Sequence, residues 1–98
     1  MLHAICGAIA GRRVIECFYD GGVRRVEPYC HGLHAKTGKD SLRAFQISGH
    51  SKSGTPLGWK MLTVAKIQQL IVTAIVFETN REGYDPDDDH ICSVHCHV

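Results

Sequence analysis

Apolar residues recur along this chain with two different periods. Leu2, Ile5, Cys6, Ile9 and Ala10 fall at three- and four-residue spacing. That spacing predicts a short helix over residues 2–11, with Gly11 as its stop and Arg12 and Arg13 just beyond. The pattern then changes to β-branched and aromatic residues. Val14 to Tyr19 predicts a strand, and Asp20-Gly21-Gly22 supplies the positive φ angles of a tight hairpin. A second strand is expected from about Val23 to His31. Pro28 lies inside it and cannot donate a ladder hydrogen bond, so it marks an edge or a bulge. Ala35 to Asp40 reads as a turn, Ser41 to Ser48 as a third strand, and Gly49 to Gly58 as a long Gly/Ser/Pro loop. Trp59 to Thr63 is a fourth strand, residues 64–69 fit a single helical turn, and Leu70 to Glu78 is a fifth strand. An acidic loop over 80–89 and a last strand over 91–98 complete the chain. One helix and about six short strands, joined by hairpin turns, predict one mainly β domain over residues 1–98. Its expected form is a small, strongly bent antiparallel sheet or barrel.

The 98 residues and their 44 % hydrophobic content suit a single globular domain with a modest core. The longest apolar run, Leu70 to Phe77, is broken by Thr73 and falls far short of the ~20 residues a membrane span needs. The apolar N-terminus is too short for a secretory leader and no basic region precedes it. The five cysteines (Cys6, Cys17, Cys30, Cys92, Cys96) are an odd number. That count argues against a complete disulfide framework, and the expectation is reduced thiols in the cytoplasm.

Net charge is +1, yet it is unevenly spread: residues 1–77 carry +6 and residues 78–98 carry −5. A basic body is suited to phosphates. Neither Gly-Lys segment is a nucleotide-hydrolysing loop. In "HAKTGKD" the lysine is followed by Asp40 rather than Ser or Thr, and in "GHSKSGTP" Thr55 and Pro56 replace the Lys-Ser/Thr pair. The second loop still carries Ser51, Lys52 and Ser53 with free backbone amides, a composition able to cradle an anion. The run Asp85 to Asp89 lacks the spacing of a calcium loop and reads as a solvated turn. No nucleophile–base arrangement is visible, so the chain is not expected to be an enzyme.

"HICSVHCHV" (90–98) holds three histidines and two cysteines. Read as a strand, Cys92, Val94, Cys96 and Val98 share one face, and Ile91, Ser93, His95 and His97 the other. The thiols are then expected inside with the valines. Strand residues four apart lie ~13 Å apart and cannot share one ion, which weighs against a zinc site built from Cys92 and Cys96. No metal and no cofactor is assigned. The His95/His97 face, with His31 on a neighbouring strand, is the one place where an ion is conceivable.

The order of motifs from about Ile9 to Val98 resembles the WYL domain family. "RVIECFYDGGVRRVEPYCHG" (13–32) is similar to the family's opening hairpin, "DSLRAFQISGHSKSG" (40–54) to the stretch that names it, and "GWKMLTVAKI" (58–67) to the strand and turn that follow. "FETNREGYDPDD" and the last strand resemble the end of a stand-alone subgroup. Tyr19, Arg25, Glu27, Pro28, His31, Arg43 and Gln46 are the retained matches. Asp40, Ser41 and Leu42 stand where the family writes Trp-Tyr-Leu, and Thr63 and Lys66 stand where it carries two arginines.

The resemblance implies an SH3/Sm-like barrel of five to six strands over about 13–98. It also implies a non-catalytic ligand-sensing or regulatory module with no helix-turn-helix of its own. The ligand expected is negatively charged, a nucleotide or single-stranded nucleic acid, in a groove lined by Tyr19, Arg25, His31, Arg43, Gln46, Ser51, Lys52, Ser53 and Lys60. Tyr19 would stack on a base, the cations would meet phosphates, and His31 and Gln46 would bond base edges. Arg24 and Arg25 point to opposite sides of a strand, and the resemblance selects Arg25. The alternative is an interaction module without a ligand, a homo-oligomer or a regulatory subunit pairing through an exposed strand edge. A metal-binding protein using the tail is the third reading.

Overall fold

The computed structural model describes residues 2–52 and 54–98, and of Leu2 the backbone alone. Helix α1 spans Leu2–Ala10. Strands β1 (Arg13–Tyr19), β2 (Gly22–His34), β3 (Asp40–Gly49), β4 (Gly58–Thr63), β5 (Gln68–Val76) and β6 (Ile91–His97) follow, with a 3-10 turn at Val64–Lys66. All pairings are antiparallel and the strand order is β4-β3-β2-β1-β5. The fold is mainly β with one N-terminal helix, as expected. The barrel is not closed, because β4 and β5 end the sheet as unpaired edges. The sheet is nonetheless strongly curled, with molecular extents of 28 × 27 × 26 Å.

The organising element is the 13-residue β2. One of its edges pairs with β3 along nearly its whole length. The other edge is shared: β1 takes residues 22–26 and β6 takes residues 30–34. Pro28 sits in the gap between those two partners, where no neighbour needs its missing N–H. The β2–β3 register slips next to it, between Pro28 and Cys30. Such a bulge bends the strand and increases its twist, so the sheet folds over here. The β1–β2 turn has positive φ at both Asp20 (46°) and Gly21 (95°), the geometry of a two-residue hairpin.

Both sheet faces are covered. Ile5, Ala8 and Ile9 of α1 pack on Ile15, Cys17, Val26, Leu42 and Leu62. Each isoleucine fully buried there contributes roughly 1.5–3 kcal/mol. The opposite face carries Val14, Tyr29 and Phe77 with Phe45, Trp59 and Tyr84 packed against them. Tyr29 is the hub of this second cluster, with ring centroids 4.8 Å from Trp59, 5.3 Å from Phe77 and 5.1 Å from Tyr84.

The acidic run Asp85 to Asp89 is the largely exposed turn its composition suggests, but the segment after β5 is anchored to the body. Its Arg81 guanidinium donates to both carboxylate oxygens of Glu27 (3.0 and 3.1 Å). Arg81 N–H donates to Tyr29 Oη (2.9 Å), and Trp59 Nε1–H donates to Glu82 O (2.9 Å). Asp88 pairs with Arg43 at 2.5 Å. The negative segment is thus folded back on the positive body and neutralises part of it.

Two of the five cysteines form a disulfide. Cys6 of α1 and Cys96 of β6 are bonded across 90 residues of sequence. The expectation of five reduced thiols is corrected: an odd count excludes complete pairing but permits one bridge. Cys17 is buried, Cys30 half-buried and Cys92 exposed. The face assignment of the last strand is corrected as well. The β2–β6 register slips twice, between His31/Gly32 and between Leu33/His34, leaving His95 and Cys92 without a directly paired residue. Each bulge resets the alternation. Cys92 therefore faces out and Cys96 turns in to meet Cys6. The close approach of β6 also needs Gly32, because a β-carbon there would lie 2.3 Å from Ser93 O.

Among the described residues no helix is long and apolar enough to cross a membrane.

Candidate functional site

The residues proposed from sequence for an anion groove divide among several places. Tyr19, Ser51, Lys52 and Lys60 do converge. With Asp20 and Arg24 they line a cleft of about 210 Å³ between the β1–β2 turn, the 50s loop and β4. Ser53 lies outside the described residues. The arginine on this side is Arg24, not Arg25. Arg24 is 4 % exposed and donates to Tyr19 O and to Gln46 Oε1 (both 3.3 Å), with its guanidinium 4.9 Å from the centroid of the Tyr19 ring. Arg25 points the other way and pairs with Glu16 at 3.5 Å.

The groups of this cleft already hold the fold together. Tyr19 is only 6 % exposed, and its hydroxyl accepts the Thr63 N–H at 2.9 Å. Its ring is closed to a stacking base, which corrects that expectation. Gln46 is fully buried and bridges Arg24 to His50 O, to which its Nε2 donates at 2.8 Å. Lys60 Nζ donates to Thr55 O (2.6 Å) and to Ser51 Oγ (3.4 Å). Lys52 is the exposed cation at the rim. A phosphate entering here would compete with backbone carbonyls for Lys60.

Arg43 and His31 belong elsewhere. Arg43 lines a cavity of about 460 Å³ together with Tyr84 and the run Asp85 to Asp89. That wall is acidic and Arg43 is already paired with Asp88. Burial would raise Asp88, but hydrogen bonds from His90 and Arg43 outweigh it and hold its carboxyl below the ordinary range. Arg43 therefore sits beside carboxylates, away from the cleft of Tyr19 and Lys60.

His31 is the most unusual of the predicted residues. It is fully buried, at the point where β2 is paired on both edges, to Leu42 and to Cys96. Its Nδ1 faces Cys6 Sγ at 3.9 Å. Its Nε2 lies 2.9 Å from Asp40 Oδ1, and His95 Nε2 lies 3.4 Å from that same oxygen. The two imidazoles meet edge to face with centroids 5.0 Å apart. Burial, opposed by Asp40 and aided by His95, lowers the His31 pKa. The sequence already placed His95 beside His31 as a conceivable ion site, and Asp40 is the residue that sequence reasoning missed here. Asp40 opens β3 opposite Leu33, two positions past His31 on β2. The bulge at His95 aims its ring toward them.

A second surface stands out by its lack of polarity. β5 reads Gln-Gln-Leu-Ile-Val-Thr-Ala-Ile-Val, has no charged residue, and pairs with β1 alone. Ile71, Val72, Ile75 and Val76 are 55, 37, 51 and 53 % exposed. Soluble domains usually protect such an edge with lysine, proline or a covering element. Two irregularities interrupt the β1–β5 register, one between Arg13 and Ile15, where Thr73 Oγ1–H donates to Val14 O at 2.7 Å, and one between Glu16 and Phe18.

Comparison with protein-family models, with curated proteins and with solved structures finds no match. The site must be argued from its own geometry.

Proposed function

We propose that this chain is a non-catalytic interaction module whose working surface is the free edge of β5, and that the strand's partner is the same strand of a second copy. The observation that carries this reading is the exposure of four large aliphatic side chains on an uncharged edge strand. An edge strand offers unpaired N–H and C=O groups, and an apolar one gains from covering its side chains as well. A strand that is apolar along most of its length is complementary to itself, and antiparallel pairing of two copies gives a closed two-fold dimer. The dispersal of Arg25, Arg43 and His31 favours this reading over a continuous basic groove.

The test is mass by light scattering across a concentration series for the native chain and for Ile75→Lys. Concentration-dependent dimer formation, lost in the variant while the far-UV spectrum is kept, is expected. A strict monomer at high concentration would reject the reading.

A second reading rests on the Tyr19–Lys60 cleft, where Lys52, Lys60 and Arg24 gather. It is a binding site for a small anion such as a nucleotide phosphate, a role that the resemblance to WYL domains also implies. Titration with short single-stranded oligonucleotides and with a nucleotide at several salt concentrations tests it. Binding that weakens with salt and is lost in Lys52→Ala supports it, and no binding at low salt sinks it.

A further inference from the structure

Three metal-ligating side chains from three strands meet at the C-terminal end of β2. His31 comes from β2, Asp40 from the start of β3 and His95 from a bulge in β6. Their nearest ligand atoms all lie within 4.8 Å of one another. We propose that His31 Nε2, Asp40 Oδ1 and His95 Nε2 form a binding site for one divalent transition-metal ion, with Zn²⁺ the best chemical match.

The distances suit that assignment. Zinc bonds of about 2.0–2.2 Å in a tetrahedral arrangement set neighbouring ligand atoms roughly 3.4 Å apart. The two separations to Asp40 Oδ1 are 2.9 Å and 3.4 Å. Two imidazoles and one carboxylate are a ligand set that zinc accepts, with a fourth position left to water. The site is open on the required side: the Asp40 and His95 side chains are 42 % and 36 % exposed, whereas His31 is closed off at 0 %.

A hydrogen-bonded Asp–His pair is the simpler account, and it leaves the site incompletely bonded. His31 Nε2 and Asp40 Oδ1 lie 2.9 Å apart, close enough for an ion pair, yet both are buried atoms without a well-directed hydrogen bond. A buried polar atom without a well-made hydrogen bond carries a desolvation cost. An ion bonded by both atoms would remove that cost at each. Behind the ring, His31 Nδ1 faces Cys6 Sγ across 3.9 Å, a weak contact with a disulfide sulfur. Cys6 and Cys96 also lie near His31, but bonded to each other they have no thiolate to offer.

The test uses the full chain, purified without a histidine tag and with the disulfide intact. Co²⁺ is followed by its visible spectrum and Zn²⁺ by calorimetry. One ion per chain is expected, with a spectrum of nitrogen and oxygen ligands and no near-ultraviolet thiolate band. Asp40→Asn and His95→Ala change partly exposed residues and should keep the fold, checked by circular dichroism. Each should weaken binding by more than the roughly 10–100-fold that loss of an outer-shell partner costs. His90→Ala alters the separate exposed group Asp88, Asp89 and His90 and should leave affinity unchanged. No uptake, a thiolate spectrum, equal affinity in Asp40→Asn and His95→Ala, or loss confined to His90→Ala would each overturn the proposal.

Discussion

Cys6 in the N-terminal helix and Cys96 in the last strand are covalently joined, so the two ends of the chain are tied on one face of β2. β6 has only β2 as a strand neighbour, and the bridge is its second anchor. The loop it closes spans 90 positions. In the chain-entropy account a loop of that length is worth about 4–5 kcal/mol. Cys6→Ser with Cys96→Ser should lower unfolding stability by roughly 2–5 kcal/mol. Urea unfolding of the native chain, with and without a dithiol reductant, checks this. The reductant should shift the native midpoint downward and leave that of the double variant where it is.

Arg81 and Glu27 form the clasp that holds the acidic loop on the sheet. Glu27 is 4 % exposed, so removal of its partner leaves a nearly buried carboxylate without its cation. Breaking a fully buried pair costs ~3–5 kcal/mol. The Arg81 side chain is 47 % exposed, and solvent screening reduces the expectation to about 1–2 kcal/mol for Arg81→Ala. The reporter is the sole tryptophan, whose indole N–H bonds Glu82 O in the same loop. Its emission should shift to longer wavelength in Arg81→Ala before global unfolding. An unchanged spectrum with unchanged stability contradicts the clasp.

His31 and Asp88 give stability two separate acid limits. The folded pKa of His31 lies below its ordinary 6.5 because burial disfavours the imidazolium. Below pH 6.5 the unfolded chain therefore binds a proton that the folded chain refuses. The His31 contribution is complete above pH 6.5 and declines as pH falls toward the folded pKa. Asp88, held below its ordinary 3.8, contributes fully above that pH and loses its contribution as pH falls through the folded pKa. Urea midpoints measured from pH 8 to pH 3 should fall in two stages. NMR of the imidazole C–H signals should find His31 titrating below 6.5. A His31 signal titrating at or above 6.5 contradicts the assignment.

Much of the fold was legible because it is locally encoded. The Asp20-Gly21 turn carries its positive φ angles in its own residues, and Pro28 announced the bulge that bends β2. The β-branched and aromatic runs placed every strand within a few residues. What escaped the sequence depends on contacts distant along the chain. Nothing near Cys6 names Cys96 as its partner. The two bulges in β6 arise from its register on β2, and they overturn the alternation that placed Cys92 inside. The acidic loop looks solvated until Arg81 is seen to reach Glu27, 54 positions away. The predicted site fared unevenly for the same reason. Tyr19, Lys52 and Lys60 converge across adjacent hairpins, whereas Arg43 is claimed by Asp88 from a distant loop. His95 was visible beside His31 in the sequence, whereas Asp40 could be suspected only from the β2–β3 register.

The most direct measurement of the central claim is amide hydrogen exchange of β5 as a function of protein concentration. If two copies pair along this strand, amides within Gln68–Val76 gain protection as concentration rises, while those of the other edge, Gly58–Thr63, do not. Protection of β5 that stays constant over a hundredfold range of concentration would contradict the account.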